Sequence, residues 1–191
     1  VAPYKKKASR LGAHIVFIDE SGFLLIPPVR KTWAPRGKTP VLHHHQLRNR
    51  LSVISGISIS PIKRRLGLYF TLFSKNIQHD EVCEFLRHIL THLRGYVIVI
   101  WDNAKIHKGE AIRELCRSFK RLRLEAFPPY APELNPVEGV WSEAKNDLAN
   151  GRPDKIEELN EHLSDVLAKI KSCQSHLRAA VYRSDLPPFL R

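Results

Sequence analysis

Three acidic residues, Asp19, Asp102 and Glu138, stand where carboxylates can do chemistry. Asp19 ends the apolar run His14-Ile15-Val16-Phe17-Ile18, and Asp102 ends Tyr96-Val97-Ile98-Val99-Ile100-Trp101. Short β-branched runs of this kind read as buried strands. The C-terminal end of such a strand is where open α/β sheets place ligands. Glu138 follows Asn135-Pro136-Val137, a combination that opens helices. Two strand-end aspartates and a first-turn glutamate outline a site that holds divalent cations through oxygen. Carboxylates and water suit Mg²⁺ in octahedral geometry. Two ions about 3.5–4 Å apart can serve both oxygens of an in-line phosphodiester displacement. Three carboxylates from three separate elements suit that task, whereas one local cluster holds one ion well.

Each acid also has a purely structural role open to it. Asp19 can end a strand before a turn at Ser21-Gly22, and Asp102-Asn103 is a common turn pair. Glu138 can close a capping box with Asn135. No local pattern chooses between these roles. The argument for a site rests on all three acids appearing in order, each on its own element.

The elements that must position them follow from hydrophobic period. Strands are expected at 13–19, 23–26, 39–44, 51–60 and 66–73, a front half of antiparallel strands. The period then changes. Residues 78–93 carry apolar side chains at 82, 85, 86, 89, 90 and 93, which predicts a helix with one buried face. A strand to Trp101, a helix over 107–119 and a strand over 122–127 come next. A helix starts at Asn135 and ends by Gly151. Asp154 and Glu157 form a capping box for a last long helix. Residues 1–12 read as a basic linker, 13–183 as one folded domain and 184–191 as a tail.

Lys and Arg number 31 against 19 acids, a net charge of +12, which favours a polyanionic partner, nucleic acid first. The three cysteines are far apart and form no Cys-x-x-Cys pair, which argues against a zinc knuckle and for a reducing compartment. No apolar run approaches the roughly 20 residues that span a bilayer, so no membrane partner is expected. The chain contains no Met, even at its first position, and reads as a piece of a longer protein.

Other residues invite a role. His107 lies five residues beyond Asp102, at the expected start of a helix, where it can meet a phosphate or an acid, or merely pack. Asn103 can orient Asp102 or a water, or serve a turn. Glu20 points to the opposite strand face from Asp19. Arg30, Lys31, Trp33, Arg36 and Lys38 share one loop, a mixture that can stack on bases and grip phosphates. Arg48 and Arg50 form a further basic group.

The segments HIVFIDESGF, VIVIWDNAKIHKG and PPYAPELNPVEGVWSEAKN resemble the catalytic core of bacterial insertion-sequence transposases allied to the mariner superfamily, the DDE endonucleases. The resemblance runs from about residue 13 to residue 150. It implies an α/β chain with a ribonuclease H-like fold, a mixed five-stranded sheet flanked by helices. It places Asp19, Asp102 and Glu138 on the family's catalytic and metal-binding positions. It further implies Mg²⁺ or Mn²⁺, two ions, and cleavage of double-stranded DNA at element ends, followed by 3′-hydroxyl strand transfer into target DNA. Assembly on DNA as a homodimer or larger species is expected, with the Trp33 loop as a contact, in the bacterial cytoplasm at the nucleoid. Full-length members carry an N-terminal helix-turn-helix region, and none is visible here, so the chain reads as the catalytic domain alone. The rival expectations are another ribonuclease H-like nuclease or resolvase, and a non-catalytic DNA-binding module descended from a transposase.

Overall fold

A computed structural model describes residues 2–25, 35–37, 50–62, 65–149, 153 and 155–186. Helix α1 (Ala2–Leu11) leads into strands β1 (His14–Leu24), β2 (Arg50–Ile59) and β3 (Leu66–Phe73). Helix α2 (His79–His92), strand β4 (Val97–Trp101), helix α3 (Glu110–Ser118) and strand β5 (Leu122–Ala126) follow. Helices α4 (Val137–Leu148), α5 (Ile156–Ser172) and α6 (Gln174–Arg183) complete the order. The strands form one mixed sheet, β3-β2-β1-β4-β5, with β1–β2 and β2–β3 antiparallel and β1–β4 and β4–β5 parallel.

Both faces of the sheet are covered, which is why its strands read as near-continuous apolar runs. Phe17, Ile98 and Ile100 face one core with α4, α5 and α6. Val16, Ile18, Val99 and Trp101 face a second core with α2 and α3. Helix α2 ends against Arg121, whose guanidinium donates to the carbonyls of Leu90, Leu93 and Gly95. That closes carbonyls a helix C-terminus leaves without partners. Among the described residues no helix is long and apolar enough to cross a membrane.

The structure departs from the sequence expectations in four places. No turn interrupts β1 at Ser21-Gly22, because Ser21, Gly22 and Phe23 pair with Val53, Ser52 and Leu51 of β2. A long antiparallel partner outweighs the local turn preference of Ser-Gly, so the two short strands expected there are one. The helix expected over 107–119 begins only at Glu110; Gly109, with φ at 151°, separates it from a 3₁₀ turn over Lys105–His107. The basic lead-in is helical, with Ala8 buried and Lys7 paired to Glu125. At the other end, α6 follows α5 after a break at Cys173. The first residues of the expected tail are packed, since Asp185 donates its N–H to the Glu133 carbonyl at 2.8 Å and Leu186 is buried. The strand expected at 39–44 and the Asp154 cap lie outside the described residues.

Candidate active site

The β1–β4 register pairs Phe17 with Ile100. Two residues further along these parallel strands come Asp19 and Asp102, at equal height. Strand alternation turns Asp19 to the side of Phe17, toward α4, and Glu20 to the opposite side. Asp19, Asp102 and Glu138 border a single cavity of about 550 Å³, closed on its far side by the loop from Phe127 to Pro132. Among the described residues the acids do not converge into a ready-made ion cage; they line one cleft from three elements.

Each acid is held differently. Asp19 Oδ2 accepts a hydrogen bond from Trp141 Nε1 at 2.8 Å. Trp141 is buried on α4, one turn beyond Glu138, and packs edge-on against Phe23. The i+3 spacing of Trp141 from Glu138 puts both on one helix face. Burial pushes the Asp19 carboxyl up to about 7, and the nearby Glu138 and Glu20 carboxylates push the same way, against the Trp141 hydrogen bond.

Asp102 Oδ1 accepts from the Ala104 N–H at 2.9 Å and lies 2.9 Å from His107 Nδ1. The other oxygen, Oδ2, has no partner among the described residues. His107 is buried, stacks on Trp101 at 4.2 Å with rings 2° from parallel, and meets Glu20 Oε1 at 3.0 Å through Nε2. Burial alone would lower the His107 pKa, but the Glu20 hydrogen bond and charge, with Asp102, outweigh it and raise it. Glu20 therefore serves the site from the opposite face, by gripping the imidazole that grips Asp102.

Glu138 is exposed at the start of α4. The capping box expected with Asn135 does not form, because the Asn135 N–H bonds the Pro132 carbonyl at 2.8 Å instead. Asn135 is buried and performs two other tasks: its Oδ1 accepts from Val137 N–H, and its Nδ2 donates to the Ile18 carbonyl, both at 3.2 Å. It thus ties the first turn of α4 to the strand residue beside Asp19, with Glu138 lining the cleft. Gly139 lets α4 approach α6; a Cβ there would lie 2.8 Å from Ala180 Cα. Asn103 lines the same cavity and donates from Nδ2 to the Phe127 carbonyl at 3.2 Å.

Of the basic residues singled out by sequence, Arg36 is exposed beside Gly37, and Arg50 is exposed at the start of β2 against Gly22. Arg30, Lys31, Trp33, Lys38 and Arg48 lie outside the described residues.

The family model for the DDE superfamily endonucleases matches residues 14–160. The Tc3 transposase of Caenorhabditis elegans is 27% identical over 135 residues, covering 66% of this chain and 40% of that protein. The Mos1 strand transfer complex superposes with a TM-score of 0.67 at 19% identity, covering 95% of this chain and 54% of the other. The Mos1 mariner paired end complex with Mn gives 0.67 at 18% identity, covering 95% and 55%. The chain therefore spans about half the length, or less, of these relatives, and it shares the ribonuclease H-like fold of Mos1.

Proposed function

This chain belongs to the DDE superfamily endonucleases, and from that membership we propose that it is the catalytic domain of a cut-and-paste DNA transposase, of the kind carried by bacterial insertion sequences. One observation carries the reading: Asp19, Asp102 and Glu138 border one cavity on a chain of net charge +12. The acids supply a donor set for hard cations, and the cationic surplus draws a polyanion. Mos1, which shares the fold, is known in a strand transfer complex and in a paired end complex with Mn, and both support the reading.

We assign Asp19, Asp102 and Glu138 as ligands for two ions of Mg²⁺ or Mn²⁺. The chemistry of the site fits them. Asp19 carries a charge that burial and two neighbouring carboxylates disfavour, and a cation beside it would relieve that cost. Among the described residues Asp102 Oδ2 and the Glu138 carboxylate have no partner. When bound, such ions polarise the scissile phosphate and favour the deprotonated attacking oxygen.

The protein's own contribution is positioning. Trp141 fixes Asp19, His107 with Glu20 fixes Asp102, and Asn135 sets the height of Glu138 along β1. In the first step water adds to phosphorus and the 3′-oxygen leaves, freeing a 3′-hydroxyl. In the second that hydroxyl attacks a target phosphodiester, whose own 3′-oxygen departs. Neither step needs an oxidant, a reductant or a protein–DNA bond.

The partners in this reading are double-stranded element ends and target DNA, with Arg36, Arg50 and the Arg30–Lys38 and Arg48 groups tracking the backbone. Joining two ends calls for a homodimer or larger assembly, working in the bacterial cytoplasm at the nucleoid. We take residues 13–183 as the catalytic unit, with α1 and the segment through Leu186 packed onto it. The test is Mg²⁺-dependent nicking and strand transfer on element-end DNA. Wild-type activity in Asp102→Ala would overturn the assignment.

A further inference from the structure

At the lip of the cleft, Tyr130 has no structural use among the described residues. Its side chain is fully exposed, at 101% of the reference area, and among the described residues it has no hydrogen bond, ion pair or ring contact. Its φ is 57°, the one positive φ outside glycine among the described residues. That region strains any residue with a Cβ. Gly or Asn would turn the chain there with less strain, and an aromatic ring left in water returns no burial in exchange. The backbone at this position therefore costs the free protein stability, and the exposed side chain returns none.

The support beneath it is stiff. Pro128, Pro129 and Pro132 each fix φ. Leu134 N–H bonds the Ala131 carbonyl at 3.2 Å, and Asp185 N–H bonds Glu133 from the C-terminal segment at 2.8 Å. The phenol is thus presented over the cavity that Asp19, Asp102 and Glu138 border. A backbone outlier held in place beside a reacting centre points to a role outside the free protein.

Resting on the reading that this cleft cleaves DNA, we propose that Tyr130 stacks on a nucleobase left unpaired beside the scissile phosphate. Every base has a π-face, so such a stack is indifferent to sequence. Inside an intact duplex those faces are covered by neighbouring bases. Only a frayed end, a nick or an extruded nucleotide can meet a ring at the lip. The cleft therefore takes DNA opened at the point of cleavage in preference to an undisturbed duplex.

The test uses the full chain and two short duplexes of one sequence, one fully paired and one frayed at an end, each with 2-aminopurine at that end. Binding and fluorescence are read in Ca²⁺, and nicking in Mg²⁺. Wild type and Tyr130→Trp bind the frayed duplex more tightly by roughly 5- to 140-fold, the range of one base–aromatic stack, and quench the probe. Tyr130→Ala and Tyr130→Gly lose the preference and the quenching but keep wild-type affinity for the paired duplex. Tyr130→Gly also relieves the backbone, so its Tm stays at or above wild type and separates lost stacking from lost folding. A preference that survives in the Ala and Gly variants overturns the proposal. So does its absence in wild-type protein that nicks DNA, and in that case the cleavage reading stands. Wild-type protein that neither binds nor nicks either duplex overturns both.

Discussion

Replacing Asp19 with Asn should make the metal-free protein more stable and inactive together. The Asp19 carboxyl is raised from 3.8 to about 7, first by burial and then by Glu138 and Glu20. A carboxyl whose folded pKa lies above its unfolded value binds a proton more tightly when folded. Its charge therefore opposes folding, starting above pH 3.8, growing as pH rises and levelling off above about 7. At about 1.4 kcal/mol per pH unit, the displacement is worth about 4 kcal/mol, and about 2 once water reaching the open cleft is counted. Asn keeps an oxygen for Trp141 Nε1 and removes the charge. Thermal and urea unfolding in EDTA should show no gain for Asp19→Asn near pH 4 and a gain of about 2–4 kcal/mol at pH 8. For a chain of this size that is roughly 5–15 °C in Tm. Added Mg²⁺ should stabilise wild type at pH 8 and leave the variant unmoved, with nicking abolished. An Asp19→Asn protein no more stable than wild type at pH 8, or equally favoured at every pH, would refute the claim that this carboxylate is held at an energetic cost.

Three further outcomes follow from the same contacts. Trp141→Phe keeps most of the packing against Phe23 but removes a hydrogen bond that lowers the Asp19 pKa, so the acid limb of the pH–rate profile should move to higher pH. The same change should cost about 1.5–3 kcal/mol at pH 8, where Asp19 is charged, by urea unfolding. The His107 pKa is raised, so its ionic contribution is full below its unfolded value of 6.5 and fades as pH rises through the folded one. The stability gap between wild type and His107→Gln should therefore be widest near pH 6 and narrow by pH 9, and a gap independent of pH would count against the Glu20–His107–Asp102 clamp. Gly139→Ala forces a methyl group against the Ala180 backbone, which should cost about 1–3 kcal/mol and lower nicking by displacing Glu138, as thermal scans and initial rates would show.

Much of the molecule was legible in local pattern. The apolar runs ending at Asp19 and Asp102 announced β1 and β4, and the 3.6-residue period of 78–93 announced α2, because burial of one face imposes that spacing. The Ser21-Gly22 turn and the 107–119 helix were misread for the converse reason. Pairing with β2 and the positive φ of Gly109 are decided by partners and backbone geometry that a short window does not contain.

Net charge and the order of the three acids are read directly off the chain, and element type follows largely from residues a few positions apart. The tertiary structure alone decided that Asp19 and Asp102 stand level on parallel neighbours. It also decided that Trp141 rather than solvent satisfies Asp19, that Glu20 acts through His107 from the opposite face, and that Tyr130 is left bare over the cleft. Burial, charge proximity and hydrogen-bond partnership are sums over neighbours in space. Those neighbours are distant in sequence, 122 positions for Asp19 and Trp141, and only folding brings them within range of one another.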